Sequence, residues 1–317
     1  MVHLAGINRD SPKALDDGND ALAQQLIDHL ERTERPPVVV YANSVQSSSD
    51  SSYGRGKRRA GEVLAAWAER RGARYVDVVL PNIYGEWGRP DYNSFIATFC
   101  AGLADDRLPE VVDDRSIELV HAQDAVAALA LEMTGPTGVY RVHCTGTSHT
   151  VSEVLRRLTA LADEYRSGQL PDLSDPFDLR LFNTYRSHLY PGHFPLQLYP
   201  NADERGVFVE IARSTGSACQ SSFSSTRPGI IRGQHFHLRK VERFVVLRGT
   251  ARIRLRPLWS DQVWSYDVDS DQPVAIDMPT LVTHDITNVG SGELLTYFWI
   301  SELYDPSDTD TFPDAVS

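Results

Sequence analysis

The chain has 317 residues, of which 41% are hydrophobic and 23% charged, and its formal net charge is −12. That length allows one large or two ordinary domains with full-sized cores. The acidic balance excludes a broad face for nucleic acid or for an anionic membrane surface, so an anionic ligand would need a local cluster of arginines.

The opening VHLAG reads as the end of a strand. ALDDGNDALAQQLIDHLERTE has the apolar spacing of an amphipathic helix. PPVVVYANS is a short β-branched strand, YGRGKRRAGEVLAAWAERRG a helix closed by Gly72, and RYVDVVLP a strand again. A helix over 94–103, the strand ELVHAQ, a helix over 124–133, the strand GVYRVH and a helix over 151–165 follow. Such alternation predicts a parallel sheet with helices on both faces. Residues 166–200, rich in Pro, Asp, Ser and Tyr, read as a connector. Beyond them come the β-rich runs GVFVEIA, ERFVVLRGTARIRLRPL, VWSYDV, VAIDMP and LLTYFWISEL, separated by Gly and Pro, which predict a β-sandwich or barrel. The expected fold class is therefore α/β followed by all-β, with domains over 1–192 and 193–317.

Three widely spaced cysteines, Cys100, Cys144 and Cys219, suggest neither a disulfide framework nor a cysteine zinc site, and fit a reducing cytoplasm. No apolar run reaches membrane-spanning length, and no basic segment with an apolar core opens the chain. Neither a membrane nor a nucleic acid is an expected partner.

The strongest motif is GIIRGQHFHLRKVERFVVLRG. On a strand, residues i and i+2 share a side, so His235 and His237 point into one cavity. Glu242 can join them from the next strand, and MPTLVTHDITN supplies His284. Three imidazoles and a carboxylate suit zinc, iron, manganese or nickel. Both stretches resemble the two motifs of the cupin family, small β-barrels. Pro279, His284 and Asn288 match the second motif, and Leu281 stands where that family usually has glycine. DERGVFVE and IIRGQHFH further resemble the nucleotide-sugar 3,5-epimerases, which implies contacts from Arg205 and Arg232 to a substrate diphosphate.

In SSYGRGK, Tyr53 and Lys57 lie four apart at a helix start, on one face. With 13 tyrosines and lysine only at Lys13, Lys57 and Lys240, chance supplies about 0.1 such pairs. The surrounding strand–helix–strand pattern and LPNIYGEWG resemble the extended short-chain dehydrogenase/reductases, which often carry serine where Gly56 stands. The resemblance implies a catalytic set of Ser44 (with Ser47 in reserve), Tyr53 and Lys57. In that set the lysine charge makes the phenol a better proton donor to a carbonyl oxygen. It also implies that Ala5, Gly6, Tyr53, Lys57 and Pro81 lie along a nicotinamide cofactor, with Asn82 on the substrate.

A reductase-like half joined to a metal cupin resembles the two-domain capsular polysaccharide enzymes of the CapF type. The phrases HLAGINR, SYGRGK, LPNIYGEWGRPDYNSFIATFC, DERGVFVE, HFHLRKVERFVVLRG and SELYDPSDTDTF carry that likeness. It implies C3 epimerisation of a UDP-linked 4-keto-6-deoxy-N-acetylhexosamine by the zinc cupin, then NADPH-dependent reduction at C4. A UDP-sugar substrate and a homodimer are the expected partners. The proton-abstracting base is not assigned; His188 and His193 are candidates. A metal-cupin oxygenase, or a sugar-nucleotide-binding cupin beside a non-catalytic reductase-like half, would share the motifs. No glycine-rich turn precedes HLAG. The expectation is therefore a Rossmann-like sheet lacking its N-terminal part, with weak NADPH binding and impaired reduction.

Overall fold

The structure, a computed structural model, describes residues 1–316 except 204, 205, 210, 215, 217 and 218; the side chains of 201–210 lie outside the described part. The chain divides into two compact units, 1–84 with 112–151 and 85–111 with 152–317.

The first unit holds a four-stranded parallel sheet in the order Val2–His3, Val39–Ser44, Arg74–Leu80, Gly138–His143. Strand alternation sends Val39 and Tyr41 to one face and Val40 to the other. On the first face they pack under Ala23, Ile27 and Leu30 of the helix Pro12–Leu30 and Ala60, Leu64 and Trp67 of the helix Ser52–Arg71. The second face packs Val40, Val76 and Val78 against Val120, Ala125 and Leu129. Ser51 caps the Ser52–Arg71 helix by accepting from Gly54 N at 3.0 Å, and Gly72 ends it in the left-handed conformation. Gly56, the departure from the reductase pattern, has a local cause. A Cβ there would lie 2.3 Å from Leu15 O, so this helix pair can approach only with glycine.

The second unit contains the helices Phe95–Ala104 and Pro176–Ser187 and most of Val151–Arg166, together with two five-stranded antiparallel sheets. One sheet is ordered Gln220–Thr226, Leu294–Ile300, Glu242–Arg248, Val274–Met278, Leu196–Gln197. The other is ordered Trp264–Asp269, Thr250–Pro257, Val282–Asn288, Ile231–Phe236, Phe312–Pro313. Alternate residues of Thr250–Pro257, beginning with Ala251, Ile253 and Leu255, are buried, the period-2 pattern of a half-covered strand. The mixed α/β and all-β fold class is therefore as the sequence implies.

Residues 166–200 are more than a connector. They contain the helix Pro176–Ser187, capped by the Asp175 carboxylate and begun by proline, with Leu181, Phe182, Tyr185 and Arg186 fully buried. A buried polar knot ties these helices to the sheet. Arg243 Nε donates to Asp277 Oδ1 at 2.7 Å, Tyr165 donates its hydroxyl to the Asp277 carboxylate, and Tyr190 donates to the Asp277 carbonyl. Arg186 Nη2 donates to Met278 O at 2.9 Å. The segment entering this unit at Gly85 is held by Trp87, whose Nε1 donates to Thr280 O at 3.4 Å.

Candidate active sites

Three of the four expected ligands sit on or just after two neighbouring strands of the second five-stranded sheet. Ile231–Phe236 pairs with Val282–Asn288, and a bulge between Gly233 and His235 sets His235 opposite His284. Gly233 takes φ 93° at the bulge; a Cβ there would meet His284 O at 2.8 Å. Glu242 begins a strand of the other sheet. His235, His237, Glu242 and His284 bring one donor atom each to within 4.8 Å of one another. Glu242 Oε2 lies 3.1 Å from His237 Nε2 and 3.7 Å from His284 Nε2. Neither Nε2 has a hydrogen-bond partner, although both are buried. Buried nitrogen lone pairs converging on a carboxylate are costly unless a cation satisfies them, and the donor set fits a borderline divalent metal. Burial pulls the His284 imidazole down to about 3, so it stays neutral and able to coordinate. Burial would raise the Glu242 carboxyl, but the facing imidazoles of His237 and His284 outweigh it and hold it at about 2.

Leu281 adopts φ 63°, the left-handed backbone that glycine usually supplies there. Its N–H donates to His237 O at 2.8 Å, so the turn is kept despite the substitution. Asn288, at the far end of the strand that follows Leu281, donates to Thr226 O and Gly292 O, each at 2.8 Å. Arg232 is exposed and its Nε donates to Thr226 Oγ1 at 3.0 Å, with Nη2 on Ser225 O at 3.1 Å. Arg205 lies outside the described residues. His188 follows the Pro176–Ser187 helix as its C-cap, with burial lowering its basicity. His193 is exposed on a cavity of about 720 Å³ that Tyr165, Tyr185 and Arg243 also line.

In the first unit Ser44 ends the second strand and Tyr53 starts the following helix. Burial raises the Tyr53 phenol, and a hydrogen bond with Ser44 acts against it. Ser47 is buried and its Oγ accepts from Arg141 Nη2 at 3.2 Å. Lys57 is buried, donates from Nζ to Ala42 O at 2.7 Å and lies over the Tyr41 ring at 4.1 Å. Desolvation drags its ammonium to about 8, with Asp77 resisting. A Cβ on Gly6 would stand 3.9 Å from Lys57 Nζ, so the HLAG turn and the lysine are neighbours. Ala5 precedes that turn in the open, Pro81 is buried, and exposed Asn82 donates from Nδ2 to Glu118 O at 3.4 Å.

One residue of consequence had no role in the sequence reading. Asp310, inside the closing phrase SELYDPSDTDTF, accepts from His237 Nδ1 through its carbonyl. Its position in a family phrase was the signal available.

Residues 9–142 match the NAD dependent epimerase/dehydratase family, and residues 201–312 match a polysaccharide biosynthesis C-terminal domain. The chain is 30% identical over its full length to UDP-2-acetamido-2,6-beta-L-arabino-hexul-4-ose reductase of Pseudomonas aeruginosa, covering 86% of that protein. A spore coat polysaccharide biosynthesis protein of Bacillus subtilis is 25% identical over 123 residues, 36% of this chain and 82% of its own. Among solved structures, the capsular polysaccharide assembling protein CapF of Staphylococcus aureus is 31% identical with a TM-score of 0.58, over 99% of this chain and 86% of that one. The Pseudomonas and Staphylococcus matches each cover 99% or more of this chain, and so the chain belongs to the CapF family of polysaccharide biosynthesis proteins.

Proposed function

We propose that the protein acts in two steps on a UDP-linked 4-keto-6-deoxy-N-acetylhexosamine. The β-barrel, within 193–317, inverts C3, and the parallel-sheet domain, within 1–192, reduces the C4 ketone with NADPH. The product is a UDP-N-acetyl-6-deoxy-L-talosamine for a capsular or surface polysaccharide. The observation that carries this reading is the buried cluster of His235, His237, Glu242 and His284 in a chain whose Pseudomonas relative is named for a hexul-4-ose.

The chemistry is consistent with those residues. The C3 proton lies next to a ketone and becomes removable when charge developing on the carbonyl oxygen is stabilised. A zinc ion held by the three imidazoles and Glu242 would supply that stabilisation as a Lewis acid. Arg232 and Arg205 are assigned to the diphosphate, whose charge an acidic protein must meet locally. In the reductase, Tyr53 would give a proton to the C4 oxygen, and NADPH, when bound, would supply the hydride. Ser44 orients that oxygen, and the Lys57 charge lies beside the Ala5–Gly6 turn where the cofactor would run. Pro81 and Asn82 close the nicotinamide and substrate side. A cytoplasmic homodimer is the assembly we propose, and sedimentation of the purified chain tests it.

The deciding experiment follows the 4-keto sugar by NMR in deuterated water, with and without NADPH. Loss of the C3 proton signal without NADPH, and slow NADPH oxidation when it is added, are expected. A metal-loaded protein that exchanges no C3 proton would overturn the epimerase assignment, and exchange without reduction would overturn the reductase assignment alone.

A further inference from the structure

The closing stretch brings a buried carboxylate to the metal centre that no step above employs. Asp310 is 4% exposed and takes φ 42°, a left-handed backbone uncommon outside Gly, Asn and Asp and here held in place by contacts. The constraint is visible. Its carboxylate accepts three successive main-chain N–H groups, from Leu238 and Arg239 at 3.0 Å and from Lys240 at 2.9 Å. With the side chain so fixed, its main-chain carbonyl stands 2.5 Å from His237 Nδ1. A carbonyl oxygen can only accept, so Nδ1 carries the proton. In the neutral ring, Nε2 is then the lone-pair nitrogen, and it is Nε2 that faces Glu242.

The residues after Asp310 serve the other two histidines. Pro313 is the register partner of His235, and Phe312 that of Phe236, with their rings stacked 5.2 Å apart. Asp314 N donates to Gln234 O at 2.9 Å, and the Asp314 carboxylate accepts from Thr283, the neighbour of His284. Within five residues the returning chain touches each of the three histidine-bearing segments.

We propose that Asp310 is the positioning residue of the metal centre, fixing the tautomer and ring orientation of His237 so that Nε2 is offered to a divalent cation. The proposal rests on the reading of the four-residue cluster as a metal site. Second-layer partners of this kind act through the ligand and change metal affinity about 10- to 100-fold.

The test uses the full-length protein stripped of metal. Zinc affinity is measured by competition with a chromophoric chelator for the parent chain, Asp310→Ala, Asp310→Asn and His237→Ala. Imidazole tautomers of the stripped forms are read by long-range proton–nitrogen NMR. Asp310→Ala should weaken zinc about 10- to 100-fold and turn the single Nδ1–H form of His237 into a mixture. Asp310→Asn keeps a side-chain acceptor and tolerates the left-handed backbone, so it should recover part of both; it also carries the test if the alanine variant does not fold. Parental affinity and a single Nδ1–H tautomer in the aspartate variants would overturn the proposal, while zinc lost only in His237→Ala would leave the metal reading standing. A parent chain that binds zinc no better than His237→Ala would sink both.

Discussion

Glu242 and His284 face each other across the all-β region, Oε2 of one 3.7 Å from Nε2 of the other, although they belong to different five-stranded sheets. The donor set therefore exists only when the two sheets are closed on each other. Metal binding and folding of this region should be linked, since any ligand bound by the folded form alone stabilises it.

Purified protein should carry about one zinc per chain. Elemental analysis of His235→Ala, His237→Ala, Glu242→Ala and His284→Ala should show each depleted, and chelator should lower the melting temperature of the parent but not of these variants. Unchanged metal content in all four would remove the assignment.

Tyr53→Phe deletes a phenolic proton and little else. Ketone reduction should fall by about 100- to 10,000-fold, the usual share of a general acid. Exchange of the C3 proton into deuterated water should continue, because the histidine cluster is untouched. Equal loss of both activities in a folded variant would argue against two separate sites.

Lys57 gives the first unit a pH signature. Its folded value, about 8, lies below the ordinary 10.5. Between those values the unfolded chain binds the extra proton, so stability rises with pH. The gain attributable to Lys57 from pH 7.5 to 9.5 is about 2 kcal/mol. Above pH 10 the buried Tyr41 and Tyr75, whose phenols burial raises, act in the opposite direction. Urea unfolding at pH 7.5, 8.5 and 9.5 should show a rise in the parent that is missing from Lys57→Met. Parallel curves would mean the ammonium is better solvated than its burial indicates.

Asp277 is fully buried against Arg243, with its carboxylate also taken by Tyr165. Asp277→Asn strands a guanidinium in the interior and should cost about 3–5 kcal/mol. Replacing the pair together, as Arg243→Met with Asp277→Leu, should recover much of that loss. Denaturant midpoints of the single and double variants provide the check, and a single variant within error of the parent would refute it.

The cluster of three histidines and a glutamate was legible because its signals are local. A period-2 strand puts His235 and His237 together, and motif spacing brings Glu242 and His284. The Tyr53–Lys57 pair was legible for the same reason, one helical turn. What escaped was set by contacts distant in sequence. Asp310 reaches His237 across 73 positions and through its main-chain carbonyl, to which residue type gives no clue. The helix Pro176–Ser187 was hidden by turn-forming neighbours, although Asp175 and Pro176 are ordinary start signals. The lowered ammonium of Lys57 depends on its burial against the Tyr41 ring, which outweighs the opposing charge of Asp77, and periodicity cannot show that packing.

The backbone changes from one compact unit to the other three times, after residues 84, 111 and 151. A gene fusion at one point could not have moved the second unit as a whole, because Trp87 and the helix Phe95–Ala104 would stay behind with the other parent. The same holds for a protease. One nick in the stretch between Arg166 and Pro176 would leave a barrel fragment without Tyr165, which donates to the Asp277 carboxylate, and the other fragment without its barrel. A single cut in that stretch therefore separates residues that are packed together within one compact unit, and the fragments should be less stable than the intact chain.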